Sequence, residues 1–178
     1  MLDHTDLKSR LKDADLLREM AFVAGEWVGA DDGSVFPVTN PARGDVIASV
    51  PDLAEAETRR AIEAAHAAQK AWAARTGKER AAVLRKWADL MIAGADDLAA
   101  ILTAEMGKPL AEARGEILYG AGYVEWFGEE AKRVYGETIP GHQPDKRITV
   151  IKQPIGVVAS ITPWNFPNAM ITRKCGPA

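Results

Sequence analysis

An asparagine lies between two aromatic residues in a short turn bounded by two prolines. Asn165 is flanked by Trp164 and Phe166, and Pro163 and Pro167 enclose that triplet. Proline fixes φ and donates no backbone hydrogen bond, so the two prolines stiffen the turn. A rigid side-chain amide in a water-excluded pocket can donate a hydrogen bond to an oxygen that becomes negatively charged during a reaction. The turn therefore indicates a candidate oxyanion site.

The segments on either side of the turn predict a strand followed by a helix. Val157–Ile161 is a short apolar run rich in β-branched residues, which is typical of a strand buried on both faces of a parallel sheet. The pattern becomes helical after Pro167, and proline is well tolerated in the first helical turn. Ligands of open α/β sheets bind outside the carboxyl ends of the strands. An ordinary strand–helix connection, in which Trp164 and Phe166 only cover the sheet edge, stays open as the alternative.

Five segments of the chain carry a resemblance to one protein family. They are Phe22–Trp27 (FVAGEW), Asn40–Ile47 (NPARGDVI), Glu105–Pro109 (EMGKP), Tyr135–Pro140 (YGETIP) and Thr162–Pro167 (TPWNFP). Their order and spacing resemble the NAD(P)-dependent aldehyde dehydrogenase superfamily over nearly the whole chain. Within the superfamily, Asn168–Lys174 is most similar to succinate-semialdehyde dehydrogenases.

The resemblance implies an α/β fold that corresponds to the N-terminal part of an aldehyde dehydrogenase. We expect small antiparallel strands, three long helices and the start of a Rossmann-like parallel sheet. Residues 1–139 would form the helical and strand part of the cofactor-binding domain, 140–153 an oligomerisation-type strand segment, and 154–178 an incomplete first βα unit of the NAD(P)-binding sheet. A βαβ unit needs about 30 residues or more, so we expect the amino-terminal piece of a longer protein rather than a small domain whose last helix ends at Ala178.

The same resemblance implies a reaction and its cofactor. A cysteine thiolate attacks an aldehyde, a hydride passes to NAD or NADP, and a glutamate-activated water releases the carboxylic acid. The nucleophilic cysteine and the basic glutamate are expected beyond residue 178. The expected substrate is succinate semialdehyde or a similar aldehyde, and a full-length protein would be a homodimer or homotetramer. An inactive fragment, acting at most as a scaffold or dimerisation piece, is the alternative.

The resemblance also assigns roles around the turn. Asn165 matches the amide of the family's oxyanion site. Together with Asn165, four residues match positions that line the nicotinamide-ribose side of the cofactor site: Ile161, Thr162, Pro163 and Trp164. A purely structural turn would use the same residues, and this alternative stays open.

A basic residue follows in the predicted helix. Arg173 lies eight positions after Asn165, about two helical turns, so its guanidinium can lie on the same side as the amide. A planar guanidinium suits bidentate binding of a carboxylate, and the matching arginine has that role in the succinate-semialdehyde branch. A solvated helix arginine is the alternative. Phe166 is expected to line the same substrate tunnel, with core packing as the alternative, and Cys175 is expected to be a buried packing thiol.

The N-terminal two thirds of the chain predict a small meander and a helical layer. Four leucines indicate a short amphipathic helix lying loosely on the surface: Leu7, Leu11, Leu16 and Leu17. Three segments predict an antiparallel meander: Phe22–Val28, Ser34–Val38 and Val46–Val50. Two pairs with capping-box spacing, Asp52/Glu55 and Thr76/Glu79, predict the starts of two helices. The first helix runs to about Ala74, and a third helix starts near Pro109.

The apolar stripe of the second helix and its end are also visible in the sequence. Its inward residues follow at steps of three and four: Leu84, Trp87, Met91, Ala95, Leu98 and Leu102. Gly107 is expected to be a left-handed cap at its end, since Pro109 blocks continuation. The third helix presents mostly small inward residues: Ile117, Ala121, Val124, Gly128 and Ala131. Ile148–Ile151 is predicted as a further strand with an unpaired edge.

Composition and charge narrow the classes of function. The chain has 178 residues, 47% hydrophobic and 26% charged, and a net charge of −3, which gives no footprint for nucleic acid or an anionic membrane. The single cysteine excludes an internal disulfide framework, and no apolar run reaches the roughly 18 residues that span a bilayer. The mixed charges of residues 1–18 resemble neither a secretory signal nor a transit peptide, so cytoplasm is expected. Neither a metal-ligand spacing nor a G-x-G-x-x-G motif is present, and His4, His66 and His142 are expected on the surface.

Overall fold

The computed structural model describes residues 4–178, and side chains from residue 7 onward. Its helices are α1 (His4–Arg10), α2 (Glu55–Ala73), α3 (Gly77–Ala93), α4 (Ala95–Met106), α5 (Leu110–Glu130) and α6 (Pro167–Cys175). Its strands are β1 (Ala21–Val23), β2 (Glu26–Val28), β3 (Val35–Thr39), β4 (Val46–Pro51), β5 (Glu137–Pro140) and β6 (Arg147–Val150). Short 3₁₀ turns follow α1 and α5, at Ala14–Leu16 and Ala131–Arg133.

The strands form three separate antiparallel pairs, so the predicted three-stranded meander is wrong. β1 pairs with β2, β3 with β4, and β5 with β6. The segment predicted as one strand, Phe22–Val28, is itself a hairpin, because Ala24 and Gly25 adopt φ values of 53° and 91° and reverse the chain. A turn with positive φ at both central positions matches the twist of a tight hairpin.

A layer of helices forms the core. α5 lies between α3 and α4 and contacts both. One cluster joins α4 to α5 and contains Ala95, Ala99, Leu102, Ala113 and Ile117. A second cluster joins α3 to α5 and contains Ala88, Met91, Ala121 and Val124, with Leu84 and Trp87 packed against it. The predicted apolar stripe is therefore confirmed, as are the inward positions of α5 at Ile117, Ala121, Val124 and Gly128.

The stripe belongs to two helices rather than one. Gly94 ends α3 and precedes α4, so the predicted second helix is divided there. The interruption arises because Gly94 leaves the helical conformation, at φ −91° and ψ 11°. The apolar spacing continues across the interruption, which is why periodicity alone did not reveal it.

The predicted helix termini are confirmed at two places and shifted at a third. Thr76 and Glu79 form the predicted capping box, with Thr76 N–H donating to Glu79 Oε2 at 2.8 Å and Glu79 N–H donating to Thr76 Oγ1 at 3.3 Å. Gly107 takes the predicted left-handed cap, at φ 81°. At α2 the capping carboxylate is Glu57, which accepts from Ala54 N–H at 3.1 Å, and not the predicted Asp52/Glu55 pair. Glu57 also accepts from Asp31 N–H at 3.0 Å, and that second bond explains the shift.

The N-terminal helix is packed more closely than predicted. Leu7, Leu11 and Leu17 are buried against Ala100, Ile101 and Ala104 of α4. Only Leu16 of the four leucines is exposed. The two carboxylate oxygens of Asp97 fix the connection after α1 by accepting from the N–H groups of Lys12 and Asp13, at 3.0 and 2.9 Å.

The C-terminal third carries the hairpin and the last helix. β5 and β6 pair antiparallel, with every strand residue exposed, and β6 confirms most of the strand predicted at Ile148–Ile151. Residues 151–163 form neither helix nor strand. α6 packs along α5, with its buried Ala169 and Thr172 facing that helix. No helix within residues 4–178 is long and apolar enough to span a bilayer.

Candidate active site

The turn that carries Asn165 joins an extended segment to α6. Pro167 occupies the first turn of α6, as predicted, and Met170 N–H donates to Phe166 O at 2.8 Å to start the helix. The residues before it, Val157–Ile161, are not a strand, so the predicted strand is wrong. A strand needs a neighbour to satisfy its backbone groups, and β1 to β6 pair only among themselves in the described part of the chain.

A buried ion pair on the α5 side holds this turn in place. Lys108, just before α5, is 9% exposed, and Glu116, on α5, is 3% exposed. Their ammonium and carboxylate groups form a close ion pair. Glu116 Oε1 also accepts from the N–H groups of Asn168 and Ala169 at 2.9 and 3.2 Å. Glu116 thereby caps the N-terminus of α6 from another helix, satisfying N–H groups that have no partner within α6.

Lys108 reaches the turn itself. Its Nζ donates to the main-chain oxygen of Asn165 at 3.0 Å and lies 3.7 Å from the centre of the Phe166 ring. An ammonium over an aromatic face is attracted by the ring quadrupole. Phe166 is half-exposed and contacts this cation, in addition to any role in a substrate tunnel.

The side chain of Asn165 does not lie in a closed cleft. Asn165 is exposed, and Trp164 beside it is 79% exposed. The prediction of an amide held between two buried aromatics is therefore wrong for this structure. The physical reason is that Lys108 holds the turn through the Asn165 backbone and the Phe166 ring, which leaves the amide on the open side.

Arg173 lies in α6 among tyrosine hydroxyls of α5. Its guanidinium donates to the hydroxyl of Tyr123 and to that of Tyr119, the latter at 3.2 Å. It also lies over the Tyr123 ring, 4.7 Å from the centre. The two hydroxyls are bonded to each other. Arg173 is half-buried, so the alternative of a fully solvated helix arginine does not describe it.

The tyrosine pair has divided acidities. The hydrogen bond from Tyr119 and then the bond from Arg173 lower the pKa of Tyr123, because both stabilise its phenolate. The hydrogen bond to Tyr123 raises the pKa of Tyr119. The cluster of Tyr119, Tyr123 and Arg173 therefore presents a positive charge with hydroxyl groups beside it.

Other predicted residues lie apart from this cluster. Cys175 is exposed, so the prediction of a buried packing thiol is wrong; its Sγ lies 3.7 Å from Ser160 Oγ at the end of α6, where the helix has turned away from α5. His66 and His142 are exposed, as predicted, and the side chain of His4 lies outside the described residues. Among the residues that the structure describes, no group of three metal-ligating side chains comes together.

The predicted cofactor-lining residues present an apolar surface. Ile161 is 90% exposed and Trp164 79%, and both lie next to Asn165 in the chain. Exposed apolar side chains at such a turn fit contact with the face of an aromatic ring such as nicotinamide. The first N–H groups of α6 do not fit a phosphate, because Glu116 accepts from them.

Four residues of the site were not predicted from the sequence. Lys108 was read only as part of a helix end, and Glu116, Tyr119 and Tyr123 were not singled out. The spacing of Tyr119 and Tyr123 is the one local signal, because residues four apart share a face of a helix. Lys108 and Glu116 are eight apart and meet residues more than 50 positions away.

Comparison with known proteins places the chain among enzymes. Residues 27–178 match the profile of the Aldehyde dehydrogenase family. The chain is 68% identical to the glutarate-semialdehyde dehydrogenase of Pseudomonas aeruginosa over 95% of its own length and 35% of that protein. It is 60% identical to the NADP(+) succinate-semialdehyde dehydrogenase GabD of Escherichia coli K12, with the same coverage of both chains.

Solved structures agree with the fold. The crystal structure of succinate-semialdehyde dehydrogenase from Burkholderia pseudomallei superimposes with a TM-score of 0.93 at 58% identity. The match covers 95% of this chain and 35% of that one. The chain thus spans about a third of the length of the relatives it matches.

Proposed function

This chain belongs to the aldehyde dehydrogenase family, and from that premise we propose that it supplies part of the site in which a full-length enzyme oxidises an aldehyde with an anionic tail. Enzymes of this family use NAD or NADP as the oxidant. The proposed product is the corresponding carboxylic acid. Succinate semialdehyde and glutarate semialdehyde are the proposed substrates, and both carry a carboxylate at the end opposite the aldehyde.

The observation that carries the proposal is the environment of Arg173. Its guanidinium is half-buried and bonded to two neutral hydroxyls, those of Tyr119 and Tyr123. Within the described residues it forms no ion pair with an aspartate or glutamate. A partly desolvated cation without an acidic partner attracts an anion, and a planar guanidinium matches a carboxylate in geometry. Arg173 would therefore bind the substrate tail, with Phe166 lining the path to it.

Asn165 would act on the aldehyde end. Its amide N–H groups are free to donate to the aldehyde oxygen as negative charge develops there. The side chain is exposed, so it is accessible to a substrate. The nucleophilic cysteine and the basic glutamate that the family reaction needs would lie outside these 178 residues.

The apolar surface beside Asn165 would hold the cofactor. Ile161, Thr162, Pro163 and Trp164, together with Asn165, would contact the nicotinamide and its ribose. When bound, NAD(P) accepts the hydride that leaves the aldehyde carbon. The side chains Ile161 and Trp164 would exclude water from the face they cover, which favours hydride transfer over competing reactions.

The test uses a chimeric enzyme in which this chain replaces the matching third of the P. aeruginosa relative. We expect the chimera to reduce NAD(P) in the presence of glutarate or succinate semialdehyde. Arg173→Ala should raise KM for either semialdehyde far more than KM for propanal, which has no anionic tail. Arg147→Ala, which removes an exposed arginine of β6, is the matched control and should change neither KM. Equal effects of Arg173→Ala on both kinds of substrate would contradict the carboxylate-binding role.

The alternative function is a piece that assembles but does not catalyse. The β5–β6 hairpin favours it, since every residue of both strands is exposed and its outer edges have no partner among the described residues. Exposed strand edges readily pair with another chain, and such pairing would give the homodimer or homotetramer expected of a full-length protein. We expect the isolated 178-residue chain to show no aldehyde oxidation; turnover by it would contradict this expectation.

A further inference from the structure

The ion pair of Lys108 and Glu116 is buried, and every contact of the pair outside itself is directed at one segment. Lys108 contacts the carbonyl of Asn165 and the ring of Phe166. Glu116 contacts the N–H groups of Asn168 and Ala169. The segment Asn165–Ala169 is therefore fixed at both its ends by two charged side chains from the start of α5.

Stability alone does not account for such a pair. Replacing a buried ion pair by apolar residues of similar volume is often neutral or stabilising, because desolvation offsets the attraction between the charges. A buried pair is better explained where it fixes one arrangement of the chain. Here the arrangement concerns the turn that carries Asn165.

We propose that Lys108 and Glu116 are positioning residues that set the direction of the Asn165 amide. The catalytic part of this inference rests on the proposed function, because it assigns the positioned group to the aldehyde oxygen. Neither Lys108 nor Glu116 touches the reacting atoms in this scheme. Both act through the backbone of the turn.

The geometry explains how the backbone is held. An ammonium has three N–H donors, and in Lys108 one is directed at Glu116, one at the Asn165 carbonyl and one is available to the Phe166 ring. Fixing the carbonyl of Asn165 restricts the rotation of that residue's backbone. Holding Asn168 and Ala169 then prevents the turn from rotating as a unit about the start of α6. A displacement of about 1 Å in a reacting group can reduce a rate about 100-fold.

Two variants separate positioning from stability. Lys108→Met removes the ammonium and leaves the buried carboxylate of Glu116 without its cation, so this variant should lose stability. The double variant Lys108→Met/Glu116→Gln removes both charges, and the glutamine oxygen can still accept from Asn168 and Ala169. The double variant should therefore regain thermal stability while the Asn165 carbonyl stays unheld. Lys132→Met is the control, because it removes the lysine of an exposed Lys132–Glu129 pair far from the turn.

The first measurement uses the 178-residue chain and needs no catalysis. Amide hydrogen exchange is followed at Asn165 and Phe166, and quenching by acrylamide is followed at Trp164. In the double variant we expect exchange at both amides to be about 10-fold faster or more, at an unfolding midpoint close to that of the parent. Lys132→Met should leave both unchanged. Unchanged exchange in a stable double variant would overturn the inference that the pair holds the turn.

The second measurement uses the chimera, so that failure of the positioning role is distinguishable from failure of the proposed function. A parent chimera without aldehyde oxidation would overturn the proposed function and with it the catalytic half of this inference, while the exchange result still decides whether the pair holds the turn. In an active chimera, the double variant should lose about 10- to 100-fold in kcat with little change in KM for the semialdehyde. Equal kcat in the parent and the stable double variant would overturn the positioning role.

Discussion

The backbone N–H of Asn168 in α6 donates to Glu116 Oε1 in α5 at 2.9 Å, so one helix receives its N-terminal cap from another. The cap is usually a residue just before the helix; Phe166 occupies that place here and supplies no side-chain bond. The start of α6, and with it the end of the Asn165 turn, is therefore fixed by tertiary contact rather than by local sequence.

Replacement of Glu116 by alanine should destabilise the chain strongly. The change leaves the Lys108 ammonium buried without a carboxylate and leaves two helical N–H groups without an acceptor, and losing one partner of a buried pair costs about 3–5 kcal/mol. Urea denaturation followed by circular dichroism measures the change in unfolding free energy. Glu129→Ala, in an exposed ion pair, is the control and should have a small effect. Equal losses in the two variants would contradict the structural role given to Glu116.

The contact between α5 and α6 depends on the absence of a side chain at Gly120. A Cβ there would lie 2.3 Å from Asn168 Oδ1 and 3.1 Å from Thr172 Oγ1. Because Thr172 is buried and Asn168 Oδ1 is enclosed, Gly120→Ala should destabilise the chain by about 1–3 kcal/mol through overpacking.

Gly122, two residues along α5, provides the matched control. A Cβ at Gly122 would meet nothing within 4 Å. Gly122→Ala should therefore stabilise the chain by about 0.5–1 kcal/mol through helix propensity alone. Thermal unfolding of both variants makes the comparison. If both alanines stabilise the chain to the same extent, the close approach of α6 to Gly120 is wrong.

The acidity of Tyr123 should respond to Arg173. The hydrogen bond from Tyr119 and the bond from Arg173 both hold the pKa of Tyr123 below its usual value, because each favours the charged phenolate. Arg173→Gln removes a positive charge, so the first tyrosine ionisation in an alkaline titration should move to higher pH. Ultraviolet absorbance of tyrosinate measures it. Arg147→Gln should leave the titration unchanged, and a shift to lower pH in Arg173→Gln would contradict the assigned cluster.

Local signals in the sequence predicted what neighbouring residues determine. The capping box at Thr76 and Glu79 and the left-handed Gly107 were confirmed, because each depends on a few adjacent residues. The hairpin within Phe22–Val28 was missed, since Ala24 does not usually take positive φ. The strand at Val157–Ile161 was wrong for a different reason. A strand is a property of a pair, and sequence pattern does not supply the partner.

The site was predicted in part for the same physical reason. The residue types of the turn and Arg173 pointed to an oxyanion donor and an anion binder, and these roles stay predictions. The residues that hold them, Lys108 and Glu116, act across more than 50 positions of sequence and have no helical spacing to reveal them. The exposed Cys175 was mispredicted because a lone apolar thiol in a helix carries no indication of which face it occupies.

The direct test of the account is the turnover of the chimera with Asn165→Ala. Loss of one oxyanion donor typically lowers kcat by about 100- to 1,000-fold, and we predict such a loss with binding of reduced cofactor unchanged, as judged by its fluorescence titration. Gln143→Ala, which removes an exposed amide next to β6, should leave kcat at the parent value. A kcat for Asn165→Ala within about twofold of the parent would contradict the role proposed for this turn, since a factor that small is worth less than 0.5 kcal/mol.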